Sequence, residues 1–144
     1  MDRLKLELKN QELCLIEESS STEVARTAPI GSSFKEFRRI GTNCIIVKED
    51  EQNFPIDNEG NKANIYCLND NLDVVWCVNM PFENDGFPNP IQWDVEIKEV
   101  KTPEGYLTIE YVENPNAFTC SSWAGFTISV DYKTGETIHA EFTK

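Results

Sequence analysis

The stretch from Asn64 to Val78, N-I-Y-C-L-N-D-N-L-D-V-V-W-C-V, constrains this chain more than any other. Two short runs of β-branched, apolar and aromatic residues flank a polar turn, Asn69-Asp70-Asn71-Leu72-Asp73. Such side chains fit a pleated surface, and an Asx-rich turn reverses the chain. The stretch therefore predicts a β-hairpin with a longer loop. Few positions in either run are polar, so the hairpin is expected to be covered on both faces and central in its sheet.

The rest of the chain repeats the theme. Leu4, Leu6 and Leu8 alternate with Arg3, Lys5, Glu7 and Lys9, a period of two that predicts a half-buried strand. Leu13 to Glu17, Cys44 to Val47, Phe126 to Val130 and Ile138 to Phe142 read as further strands. Trp93, Val95 and Ile97 face Leu107, Ile109 and Tyr111 across the turn Lys101-Thr102-Pro103-Glu104-Gly105, a hairpin with one wet face. Asn114-Pro115-Asn116 and Asp131-Tyr132-Lys133-Thr134-Gly135 read as turns. Two helical pieces are expected. Thr22 caps a turn over Glu23 to Thr27, and Phe34, Phe37 and Ile40 follow an i, i+3, i+6 spacing. The sum is about nine or ten short strands with at most one or two short helices. That is an all-β chain of antiparallel sheets, sandwich or half-barrel-like, read as one domain over residues 1–144. No strand–helix alternation suggests a parallel nucleotide-binding sheet.

Charge narrows the partners. Lys and Arg number 13 against 25 Asp and Glu, a net charge of −12. Such a field repels phosphate backbones and anionic membranes, so neither nucleic acid nor membrane is expected as a partner. It attracts cationic proteins and raises their encounter rate, while also serving plain solubility. The one basic cluster, Lys35, Arg38 and Arg39, reads as a solvated face ahead of an anion site, since Glu36 interrupts it. The N-terminal residues lack the uninterrupted apolar core of a signal peptide, and no run reaches the roughly 18–20 apolar residues of a membrane span. Cys14, Cys44, Cys67, Cys77 and Cys120 are then expected as reduced small hydrophobes of a cytoplasmic protein.

Two segments echo each other. Ile65-Tyr66-Cys67-Leu68-Asn69 leads through a turn to Val74-Val75-Trp76, and Phe126 to Asp131 leads through Lys133-Thr134-Gly135-Glu136 to Thr137-Ile138-His139. The second resembles the ALD-x-x-TG-x-x-x-W hairpin of quinoprotein-type propeller blades, and Ser121 to Phe126 resembles the lead-in to a blade strand. The resemblance covers about 35 residues, with room for two blades where a propeller needs at least four. It implies a blade-like antiparallel sheet and no quinone cofactor, and no cofactor of another kind is expected from the residues. The overall pattern also resembles small bacterial domains, some of which are immunity proteins against contact-delivered toxins.

Residues able to run a reaction are few. His139 is the sole histidine, and a hydrolase reading pairs it with Ser121 or Ser122, without any G-x-S-x-G elbow. No catalytic residue is assigned. There is no C-x-x-C and no histidine pair for zinc. Loops starting at Asp57 and Asn69 alternate oxygen ligands, but Leu68 and Met80 stand where a calcium loop needs its final acid, so both read as Asx turns. A small-molecule or carbohydrate reading rests on Trp76, Trp93 and Trp123. The surface singled out is the loop from Met80 to Trp93. There Phe82, Phe87 and Trp93 stand beside Glu83, Asp85 and Asp94, anchors and acids suited to a basic protein partner. A lid completing the core is the competing reading of the same aromatics. The leading expectation is a non-enzymatic acidic binding protein that occludes a basic protein, an immunity protein being one instance. Ligand binding ranks second and hydrolysis third.

Overall fold

A computed structural model describes residues 3–80 and 82–142. Eleven strands make up its regular structure: β1 (Leu4–Lys9), β2 (Glu12–Glu17), β3 (Thr22–Thr27), β4 (Phe34–Gly41), β5 (Cys44–Glu49), β6 (Ile65–Leu68), β7 (Val74–Cys77), β8 (Gln92–Lys101), β9 (Leu107–Ser121), β10 (Phe126–Asp131) and β11 (Thr137–Phe142). They form three antiparallel sheets, each a meander in chain order: β1–β2–β3, β4–β5–β6–β7 and β8–β9–β10–β11. No sheet closes into a barrel. The all-β expectation holds, with no helix among the described residues and so none long and apolar enough to cross a membrane.

Alternation within the middle sheet builds two cores. Ile46, Ile65 and Cys67 pack with Phe118, Cys120, Ile128 and Val130 of the third sheet. Ile45, Val47, Tyr66 and Leu68, one residue out of phase, pack with Leu13 and Leu15 of the first. Because successive side chains leave opposite faces of a strand, β5 and β6 are covered on both sides. All four residues of β6 are buried, as the sequence predicts. Its hairpin partner β7 is instead the edge strand, with Val74 and Val75 half exposed.

Both expected helices are strands. Residues 22–27 pair with β2, and residues 34–41 pair with β5. The three-residue spacing of Phe34 and Phe37 has a physical origin other than a helix. A bulge between Phe34 and Glu36 lets Phe34 oppose Glu49 while Phe37 opposes Val47, two apart on one face. A second bulge between Arg39 and Gly41 turns Ile40 toward the other core. The turn expected at Asn114-Pro115-Asn116 is absorbed into β9 as a bulge opposite Asp94. The Asx chemistry behind that expectation is present, with the Asn116 N–H donating to Asn114 Oδ1 at 2.8 Å.

Buried polar groups tie the loops to this frame. Glu49, fully buried, accepts the backbone N–H groups of Ile30, Gly31 and Ser32 and the hydroxyl of Tyr66. Burial, and then the Glu49 carboxylate, push the Tyr66 hydroxyl far above its usual range. Asn61 and Asn64, also buried, act as spare backbone for the loop after β7. Asn61 exchanges bonds with Phe82 O and Asp85 N–H, and Asn64 with Phe87 O and N–H. That loop is thus clamped onto residues 61–64.

Candidate binding face around Asp85 and Trp123

Asp85 sits where three segments cross. Its N–H donates to Asn61 Oδ1 at 2.9 Å, and its carbonyl accepts the Lys62 N–H at 2.7 Å. Its Oδ1 accepts the N–H groups of Gly86 and Ala124, both at 2.9 Å. The Trp123 N–H donates to Gly86 O at 2.8 Å, which closes the junction. The approach at Gly86 is close: a Cβ there would lie 3.2 Å from Glu51 Oε2 and 3.3 Å from Lys62 Cβ.

One oxygen of Asp85 is left over. The residue is 4% exposed, and Oδ2 has no hydrogen-bond partner among the described residues. A buried carboxylate oxygen without a donor costs roughly 1–3 kcal/mol or more, so such an atom calls for an explanation. Asp85 also lines a cleft of about 230 Å³ with Glu51, Gly60, Lys62, Asn84, Gly86 and Trp123, while Oδ2 itself is sealed from the surface. Trp123 stands 67% exposed at this cleft. A shallower depression shares Gly60 and Asn84 with it and adds Ile56, Asp57, Glu59 and Glu83. The joined face therefore carries the carboxylates of Glu51, Asp57, Glu59 and Glu83 around two exposed apolar side chains, Trp123 and Ile56, with Asp85 buried beneath them. Lys62 is its one cation, and its ammonium makes no ion pair among the described residues.

The residues singled out in the Met80–Trp93 loop divide among several places. Asp85 and Glu83 belong to this face. Phe87 is fully buried in the core and presents no area to a partner. Phe82 stacks on Phe126 with centroids 4.5 Å apart, covering the core edge as a lid residue does. Trp93 and Asp94 lie apart from the cleft, in a cluster with Arg38 and Tyr132. The Arg38 guanidinium is 4.6 Å from the Trp93 ring centroid and 3.6 Å from Asp94 Oδ2. Tyr132 stacks on Trp93 and donates to Asp94 Oδ1 at 3.1 Å. Burial first, and the Asp94 carboxylate next, raise its hydroxyl above the usual tyrosine range. Trp123 entered the sequence reading only as one of three tryptophans. Its signal was its place in a Ser-Ser-Trp-Ala-Gly turn, where a large ring has no alternating strand to bury it. Trp76 and Trp93 both pack against the core, so the three tryptophans do not converge.

The remaining candidates have local partners. His139 Nε2 lies 2.9 Å from Glu141 Oε1. The Ser122 hydroxyl accepts the Phe126 N–H, and Ser121 pairs with Thr127 at 3.1 Å. Neither serine bonds the imidazole among the described residues. The basic cluster is dispersed by strand alternation: Lys35 pairs with Asp50, Arg38 with Asp94 and Arg39 with Asp70. Asp57 and Asn69 spend side-chain oxygens on their own turns, accepting N–H groups of residues 59 and 61, and 71 and 73. All five cysteines are free thiols, with Cys77 exposed. Cys44 and Cys67 line another cleft of about 340 Å³. The Cys44 thiol donates to Tyr132 O at 3.4 Å and the Cys67 thiol to Leu68 O at 3.7 Å, and the interaction between the two thiols lowers the Cys44 pKa and, with burial, raises that of Cys67.

The Asp85–Trp123 face combines an aromatic anchor, an apolar neighbour and a ring of acids, which is chemistry for holding a cation. Comparison with known proteins adds no name to this geometry: no family model matches the chain, and no curated protein matches it.

Proposed function

We propose that this chain is a non-enzymatic acidic binding protein that occludes a basic protein partner. Masking a basic toxin, as immunity proteins do, is the specific form of this reading. The observation that carries it is the gathering of Glu51, Asp57, Glu59 and Glu83 around exposed Trp123 and Ile56. Exposed aromatic anchors supply buried area on association, and surrounding acids steer a cationic surface and exclude an anionic one. The net charge of −12 extends the same field beyond the face. Five free thiols accord with a reducing compartment, the cytoplasm.

The test is affinity purification from the source cells with wild type, Trp123→Ala and a Glu59→Lys/Glu83→Lys double variant. One basic protein should be recovered at about 0.1 M salt, lost near 1 M as charges are screened, and lost in both variants. Recovery of neutral or acidic proteins alone, without a salt effect, rejects the reading.

A further inference from the structure

We propose that Cys44 and Cys67 are the two ligands of a site for a single soft, thiophilic cation of the copper(I) class, set in the cleft between the middle and third sheets. The inference goes beyond the acidic binding face and uses none of its residues.

Strand register places the two thiols together. Cys67 stands opposite Ile46 in the β5–β6 ladder, and Cys44 lies two positions from Ile46 on the same strand. Residues two apart share a face, so both cysteines point toward the core shared with the third sheet. Both line the cleft of about 340 Å³ whose other walls include Ile40, Val75, Pro115 and Tyr132, and there the two thiols interact with each other. Cys67 is buried and Cys44 partly open, an inner and an outer ligand. Each thiol spends its proton on a long bond to a carbonyl oxygen, which an incoming cation can displace.

The number and kind of ligands select the ion. Among the described residues no histidine, carboxylate or further cysteine joins the pair at the cleft. Cys77, the exposed thiol, stands opposite Tyr66 and so leaves the other face of the sheet. Zinc needs a fuller tetrahedral set and calcium a cage of oxygens, whereas copper(I) favours soft thiolates and is satisfied by two in line. Diagonal neighbours in a ladder stand roughly 7–8 Å apart, beyond the ~7 Å at which a disulfide closes without backbone movement. Two metal–sulfur bonds of about 2.3 Å hold the sulfurs up to about 4.6 Å apart, against ~2.0 Å in a disulfide, so a bridging ion suits this pair better. Binding releases both thiol protons: one copper(I) ion and two thiols give a dithiolate complex with one net negative charge and two protons. Lys133 at the same cleft offsets that charge.

The test uses the whole chain, reduced and kept from oxygen, with copper(I) alone and zinc(II) alone as probes, each held against a competing chelator. Native mass spectrometry should show one copper(I) per chain, and X-ray absorption at the copper edge should show two sulfur neighbours. Cys44→Ser should weaken copper(I) binding by more than about a hundredfold, beyond the range of an outer-shell change. Cys77→Ser should leave it unchanged. Circular dichroism checks that the Cys44→Ser chain is folded, and the absorption measurement reads the wild type whatever the variant does. No copper(I) retained at one equivalent, three or more sulfur neighbours, zinc(II) held as tightly as copper(I), or equal losses in Cys44→Ser and Cys77→Ser would each overturn the site.

Discussion

Two tryptophans in this chain lie beside carboxylates, and they differ in what completes them. At Trp93 the cation is built in: Arg38 lies over the ring and pairs with Asp94, and Tyr132 stacks on the same tryptophan. At Trp123 the ring is exposed and the neighbouring Asp85 keeps an oxygen without a donor. The first arrangement consumes its own recognition chemistry in folding. The second leaves its ring to solvent, while the junction that fixes Asp85 satisfies only one of its two oxygens. Sequence position conceals the contrast, since Trp93 sits in the acid-and-aromatic loop and Trp123 in a small-residue turn.

The comparison can be broken or sharpened by substitution, beginning with the inner side of the loop that carries Asp85. Phe87→Ala removes a fully buried ring and should lower unfolding free energy by about 3–5 kcal/mol in a urea titration. A loss below about 1 kcal/mol would show that the loop is not part of the core. Asp85→Ala abandons the Gly86 and Ala124 N–H groups and should lose about 1–3 kcal/mol in the same assay. Asp85→Asn keeps an acceptor at Oδ1 and should retain most of that stability.

A more enclosed filled pair gives a pH test. Arg39 holds Asp70 in a two-pronged bond at 3.1 and 2.9 Å, and lowers its carboxyl pKa below the ordinary 3.8. The folded value lies below the unfolded one, so this stabilisation is fully present above the unfolded value. It is lost as pH falls below about 3.8 and through the folded value. Asp70→Asn should flatten that acid limb in a stability–pH series, and an unchanged limb would contradict the assignment. Arg38→Ala should cost only about 0.5–1 kcal/mol, because both charged partners are about half exposed. Trp123→Ala should change stability by no more than about 0.5 kcal/mol, since the ring packs little, while its effect on partner capture is the largest of the set.

Much of the fold was legible in advance, element by element. Period-two alternation over Leu4 to Leu8 and over Trp93 to Ile97 marks strands because each face meets a different medium. The four apolar residues of β6 announce cover on both faces, and both cores duly meet there. The failures also share a cause. Phe34, Phe37 and Ile40 mimic a helical stripe because bulges add a residue between positions of one strand, and a bulge leaves no simple mark in the sequence. Val74 and Val75 look like core residues, yet β7 is an edge, and strand order is set by pairings remote along the chain. At the site, Asp85 and Glu83 were singled out from the sequence. Glu51, Lys62 and Trp123 were not placed beside them, because they come from three separate segments.

By itself the sequence determined the all-β class, the turns and the acidic surface, since these follow from local periodicity, Asx chemistry and net charge. Tertiary structure alone decided which aromatic is covered, which acid has its cation, and which carboxylate oxygen is left without a donor. Those outcomes depend on distances between segments up to tens of residues apart, and no local pattern encodes them.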